Sequence, residues 1–162
     1  MTDVMDALAG LTPDLRFAQM RRERPEAVRH TQGSDDAIFA PDDDGGLSRA
    51  ERAAAALRIA IVLGDAALQA HYRARLAELD PGGRLRAAVE AGPPAADRRL
   101  RLILAHVDRV TRAPDSATRS HLDELLAAGL SPRAVVALSQ LIAYVNFQAR
   151  VLAGLRMLKG AP

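Results

Sequence analysis

The sequence predicts an all-α protein, and three observations support that expectation. Apolar residues recur at helical spacing, as in Leu100, Ile103, Leu104, Val107 and Val110, and no stretch alternates with period two for long enough to suggest a strand. Capping residues, glycines and prolines mark helix starts and stops along most of the chain. Rings are only 3% of residues, so Ala, Leu, Val and Ile must fill the core, which suits closely packed helices.

Taken in order, the first forty residues read as short helices joined by turns. Val4, Met5 and Leu8 form one apolar patch ended by Gly10, and Thr12-Pro13 has the form of an N-cap followed by proline. Pro25 opens a third helix, expected to break near Gly33-Ser34 and resume through Ile38 and Phe39. Pro41-Asp-Asp-Asp-Gly-Gly46 is a loop, which makes residues 1–46 an N-terminal helical arm or cap and 47–162 the main helical domain.

Ser48 and Glu51 then form a capping box, with Leu47 placed to staple back onto the first turn. Ala53 to Leu63 is apolar except for Arg58, which predicts a helix buried on most sides. After a break at Gly64-Asp65, a helix over about 66–79 places Leu68, Tyr72 and Leu76 on one side. Asp80-Pro81-Gly82-Gly83 is a turn before a short helix ended by Gly92-Pro93-Pro94. The row from Leu100 follows, then an amphipathic helix from Ser116 to Ala128, then a last helix from Ser131-Pro132 to about Lys159.

Composition narrows the function classes. A length of 162 residues suits one domain with a single core, and 49% hydrophobic with 26% charged residues is a globular profile. Net charge is only +2 and Lys159 is the sole lysine, so the high isoelectric point reflects late-titrating arginines, not a strong positive field. No basic stripe interleaves with aromatics, so nucleic acid is not an expected partner. No uninterrupted apolar run approaches ~18 residues and no signal-peptide pattern opens the chain; no membrane is expected and the expected compartment is cytoplasmic. The chain has no cysteine, which removes disulfides, Cys-based metal sites and thiolate catalysis together. No His or carboxylate spacing suits a metal, and no cofactor is implied.

Two stretches resemble a known family. Leu47-Ser-Arg-Ala-Glu-Arg52, continuing through Leu57-Arg-Ile-Ala60, resembles the helix before the redox motif of alkylhydroperoxidase D-like proteins. Leu125-Leu-Ala-Ala-Gly-Leu-Ser131, leading to Leu141-Ile-Ala-Tyr-Val-Asn-Phe147 and Arg150, resembles the C-terminal half of the peroxidase-related branch of the carboxymuconolactone decarboxylase-like family. The loop Val110-Thr-Arg-Ala-Pro114 fits the same branch, and the likeness spans roughly residues 47–158. It implies an alkylhydroperoxidase D-like helical bundle and an oligomer.

Active members of that family carry a Glu, a Cys-x-x-Cys pair and a His. Laid onto this chain without gaps, those positions become Ala53, Asp65, Leu68 and Tyr72, with His71 one residue before the last. No sulfur nucleophile remains, and methionine cannot turn over peroxide without a reductase, so thiol peroxidase chemistry is rejected. A cofactor-free decarboxylase needs no cysteine; Leu63-Gly-Asp-Ala-Ala-Leu-Gln-Ala-His71 resembles its His-bearing helix after a small loop.

His71 is the leading candidate for acid–base work, with Asp65 placed to orient it; the plainer alternative is a helix histidine bonded to a backbone carbonyl. Tyr72 is one of two tyrosines and either donates a proton to a ligand or packs with its hydroxyl on the backbone. Gln140, Asn146 and Gln148 lie among apolar residues of the last helix, and structural roles are favoured for them. Arg150 takes the family's Arg position, although Ala149 stands where Asn is usual, and Asn146 with Arg150 would bind substrate. His106 and His121 attract less interest. The last helix is apolar nearly all round, which predicts packing across a homo-oligomer interface.

Two functions stay open: the preferred one is a pocket near His71 for an organic acid or lactone, with an unknown reaction, because the loop at Gly64-Asp65 persists where active members have theirs; the alternative is an inactive structural or accessory subunit beside an active homologue.

Overall fold

The computed structural model describes residues 3–11, 16–92, 94 and 97–160, apart from the side chains of Phe17, Lys159 and Gly160. Three helices make the N-terminal region: α1 (Val4–Ala9), α2 (Arg16–Arg22) and α3 (Pro25–Phe39). They are followed by α4 (Arg49–Leu63), α5 (Ala66–Leu79), α6 (Arg84–Ala91) and α7 (Arg98–Arg112). A 3₁₀ turn (Pro114–Ser116), α8 (Arg119–Ala127) and α9 (Pro132–Gly160) complete the chain, with no strand among the described residues. The all-α expectation holds.

Helix α4 is the centre, packed by α5, α6, α7 and α9. Its start is fixed by the expected capping box: Ser48 Oγ accepts from the Glu51 N–H at 3.2 Å, and the Glu51 carboxylate accepts from the Ser48 N–H at 2.9 Å. Gly64 closes it in the left-handed conformation (φ 70°), where a side chain would be strained. Ala53, Ala54, Ala55 and Ala56 are all fully buried, so four small side chains let neighbouring helices approach one axis.

Partly buried charges tie the other helices to this centre. Arg58 donates two bonds of 2.6 Å to Asp108 of α7. Arg99 donates to Glu51 at 2.6 Å and to the carbonyls of Gly46 and Gly129. Arg52, 4% exposed, donates to the carbonyls of Leu47, Ile38 and Asp44 and so pins the 41–46 loop and the end of α3 onto α4.

The N-terminal helices lie against α9, α5 and α4. Asp3 caps α1 by accepting from the Met5 and Asp6 N–H groups, and Gly10 ends it as expected. Helix α3 does not break at Gly33-Ser34. Gly33 has nothing within 4 Å of where a Cβ would stand, and Ser34 donates to the His30 carbonyl at 2.8 Å within the helix. One exposed mid-helix glycine costs about 1 kcal/mol, less than the packing of Asp35 and Phe39 supplies. Thr12-Pro13 lies outside the described residues. The helix expected from Ser116 starts instead at Arg119, because Thr118 supplies the cap and Pro114 holds a separate turn.

Ser131 Oγ accepts from the Ala134 N–H at 3.0 Å and begins α9, which spans 29 residues. By length and composition alone α9 could cross a membrane, since its best window averages a hydropathy of 1.3 despite interrupting polar residues. A core helix passes the same test, and Leu138, Leu141, Val145 and Leu152 are fully buried here. Its other side leaves Val136, Phe147, Met157 and Leu158 exposed.

Candidate functional site

Where α3, α5 and α9 meet, the fold buries Phe39, Tyr72 and Tyr144 together with Asp35 and Gln148. Helical spacing on α5 sends Leu68, Tyr72 and Leu76 inward, all fully buried. The Tyr72 hydroxyl donates to Oε1 of Gln148, which is itself fully buried. Gln148 Nε2 donates to the Tyr144 hydroxyl at 3.2 Å, and that hydroxyl donates to the Thr31 carbonyl at 3.2 Å. Burial raises both phenols well above their ordinary range, with the nearby Asp35 carboxylate adding to the effect, so both remain neutral donors. Phe39 sits 5.3 Å from the Tyr72 ring and 6.4 Å from the Tyr144 ring.

Beside this relay lies an ion pair absent from the sequence-based expectation. Arg75 Nη2 is 3.0 Å from Asp35 Oδ2, and the guanidinium lies 4.4 Å from the Phe39 ring centroid. The pair uses one oxygen and one nitrogen. Asp35 Oδ1 and Arg75 Nη1 are buried without a hydrogen-bond partner, and so is His71 Nε2. His71 and Arg75 are one turn apart on α5, so they share a face. Burial, and then the charge of Arg75, hold the His71 imidazole below its usual range, while Asp35 opposes them. The imidazole is therefore neutral at pH 7.

The expected site residues separate into three places. His71 and Tyr72 are neighbours with rings 4.9 Å apart, but Tyr72 points into the sealed relay and its hydroxyl meets a glutamine side chain, not the backbone. Asp65 caps α5, accepting from the Leu68 N–H at 3.0 Å, and holds Arg156 through bonds of 2.6 and 3.1 Å. Burial pushes its carboxyl up, but Arg156 and the backbone N–H bonds outweigh this and hold it low. The charged groups acting on His71 are Arg75 and Asp35, not Asp65.

Asn146 donates to the Ile142 carbonyl at 3.0 Å, and Arg150 folds back onto Asn146 at 2.9 and 3.2 Å. Both bond within their own helix, and the Arg150 guanidinium stays exposed. Asp35, Arg75 and Tyr144 escaped the sequence reading: the first two carry no motif, and Tyr144 entered only as a letter of the family resemblance. Gln148 bonds other helices, as the structural reading of the buried amides predicts.

His106 and His121 belong to another face. His121 Nδ1 accepts from the Thr118 N–H at 3.0 Å, its Nε2 is 2.8 Å from Arg109, and burial lowers His106. Among the described residues no three His, Asp or Glu side chains are grouped as a metal would require. Three grooves of about 340, 560 and 470 Å³ open elsewhere, and none is lined by His71, Tyr72, Asp65, Asn146 or Arg150.

No family model matches the sequence, and no curated protein matches it closely enough to count as a relative. Among solved structures, the chain is similar to an uncharacterized peroxidase-related protein from Silicibacter sp. TM1040, with a TM-score of 0.71 and 18% identity over 81% of this chain and 69% of that one. At that identity the likeness establishes a shared fold, so this cysteine-free chain has the helical architecture of a peroxidase-related protein.

Proposed function

We propose that this chain is a cysteine-free member of the alkylhydroperoxidase D-like and carboxymuconolactone decarboxylase-like group that serves as a structural or accessory subunit. It assembles with itself or with a cysteine-bearing homologue in the cytoplasm. The closure of the redox position supports this reading: Ala53, Leu68 and Tyr72 are all fully buried, and the Tyr72 hydroxyl is committed to Gln148. A catalytic group needs a concave space in which to meet a substrate. The apolar side chains left open on α9 fit an assembling subunit.

A second reading keeps a small-molecule function near His71, and the three buried atoms without partners favour it. Asp35 Oδ1 on α3, and Arg75 Nη1 and His71 Nε2 one turn apart on α5, offer an acceptor, a donor and an imidazole nitrogen. A neutral lactone suits them better than an organic acid, because Asp35 already takes the charge of Arg75.

One pair of measurements decides between the two. Light scattering across a concentration series reads assembly, and a thermal-shift screen of wild type and His71→Ala against carboxylic acids and lactones reads the pocket. The accessory reading expects a defined oligomer and no ligand whose stabilisation depends on His71. A lactone that raises the melting temperature of wild type alone overturns it, and a monomer at all concentrations overturns its self-assembling form.

A further inference from the structure

A groove of about 340 Å³ separates the N-terminal helices from the C-terminal half of α9. Buried Met5 and Leu155 and half-buried Val151 form its base, and Met20, Phe147 and Leu158 stand at its walls, each 45–47% exposed. Apolar side chains open at a concave surface favour a ligand that covers them, and methionine side chains adapt to an irregular one.

Charge sets the class of ligand. Arg21 and Arg24 line the groove, and among the described residues no acid does. Arg21 is engaged by Asp3 and Asp6. Arg24 is exposed and its guanidinium has no ion pair or hydrogen bond; the nearby Glu26 is taken by Arg29. The other two grooves are balanced: Asp43 and Asp44 face Arg52 and Arg133 in one, and Asp3 and Asp36 accompany Arg22 and Arg29 in the other. Of these three grooves, as the described residues line them, the one between the N-terminal helices and α9 combines apolar walls with an unspent cation.

We propose that this groove binds a medium-length acyl-chain carboxylate, its tail laid between Met5, Met20, Phe147 and Leu155 and its head bonded to Arg24. The volume lies at the small end of the ~300–1,000 Å³ range of ligand pockets, which suits a single chain. A guanidinium grips a carboxylate through paired N–H bonds, which an alcohol cannot reproduce. The site is separate from His71, but it shares Phe147 and Leu158 with the α9 surface that the accessory reading assigns to assembly.

The test is isothermal titration of the full chain with octanoate, decanoate and decan-1-ol below their aggregation limits. Affinity is expected to tighten about fourfold per added methylene. Arg24→Gln is expected to weaken decanoate about tenfold and leave decanol unchanged. Val151→Trp, which fills the groove, removes both; circular dichroism checks its fold, while Arg24 is exposed and its replacement leaves folding alone. Absent binding, equal affinity for decanoate and decanol, or indifference to Arg24→Gln each overturns the proposal. So does loss of self-association on Phe147→Ser in a protein that binds no decanoate, because a second copy then covers the groove.

Discussion

Replacing Tyr72 by Phe removes one oxygen from the junction of α3, α5 and α9. In the wild type that hydroxyl satisfies Oε1 of Gln148, and both residues are fully buried. Tyr72→Phe therefore strands a glutamine oxygen away from water, at a cost of about 1–3 kcal/mol. For a domain of this length that is a fall in melting temperature of roughly 3–10 °C. Gln148→Leu strands the Tyr72 hydroxyl instead, and the Tyr144 hydroxyl also loses a donor. The double variant removes both members of the first bond, so it is expected to be at least about 0.5 kcal/mol less destabilised than the two single effects summed. Urea unfolding of the four proteins, with unchanged slopes as the test of two-state behaviour, measures the cycle. A Tyr72→Phe protein as stable as wild type, or strictly additive variants, would falsify the assignment of Tyr72 to a structural relay. It would return the residue to the list of groups kept for function at the expense of stability.

Two further variants probe the neighbouring groups. Asp65→Ala removes a helix cap and one side of an ion pair whose Arg156 is 40% exposed and therefore well screened, so the expected loss is about 1–2 kcal/mol. Asp65→Asn keeps the cap and loses less. Because the Asp65 carboxyl is held below its ordinary range, its charge stabilises the fold above that range, and wild type and Asp65→Asn should converge as the pH falls through the folded value. A gap that persists in acid refutes the ion-pair contribution. His71 works in the opposite sense. Its folded pKa is lowered by burial and Arg75, with Asp35 opposing and Tyr72 and Tyr144 neutral nearby, so the unfolded chain takes up a proton that the native chain refuses. Stability should fall as the pH drops below ~6.5, by up to about 1.4 kcal/mol per pH unit for this residue. His71→Gln should shallow that slope between pH 7 and 5 without abolishing it, because His106 is also lowered. An unchanged slope shows that His71 is not held neutral.

Local signals made the fold legible. Ser48 with Glu51, Asp65 before Leu68, and Ser131 before Pro132 are contained within four residues of sequence, and each cap is present. Gly33-Ser34 misled because a glycine's cost is small beside the packing on either side of it. The site was less legible for a different reason. Asp35 and Arg75 are 40 residues apart, and Tyr72 and Gln148 are 76 apart. Neither pair lies within a motif, so the approach of three helices creates the pairing. The same limit explains Arg52, Arg58 and Arg99, whose partners are carbonyls or carboxylates brought close only by folding. Asn146 and Arg150 were attractive as residue types, yet each found a partner one helical turn away, and that possibility was already present in their i, i+4 spacing.

If thiol chemistry had been lost only by the absence of cysteine, Asp65→Cys with Leu68→Cys would restore it. The surroundings argue otherwise. Leu68 is fully buried, so a thiol there would be kept protonated by its apolar neighbours and shielded from peroxide. Ala53 supplies no carboxylate for proton relay. Tyr72 cannot stand in for a histidine, because burial raises its phenol and its proton is already given to Gln148. Residue 65 lies at the start of α5, where Arg156 now holds the carboxylate, so a thiol placed there should be the more reactive of the two. The double-cysteine protein is therefore expected to show one fast and one slow thiol with a chromogenic disulfide reagent. Neither should turn over hydroperoxide with a dithiol reductant. Catalytic turnover would mean that the helix junction opens in solution, and the sealed relay would no longer support an accessory role.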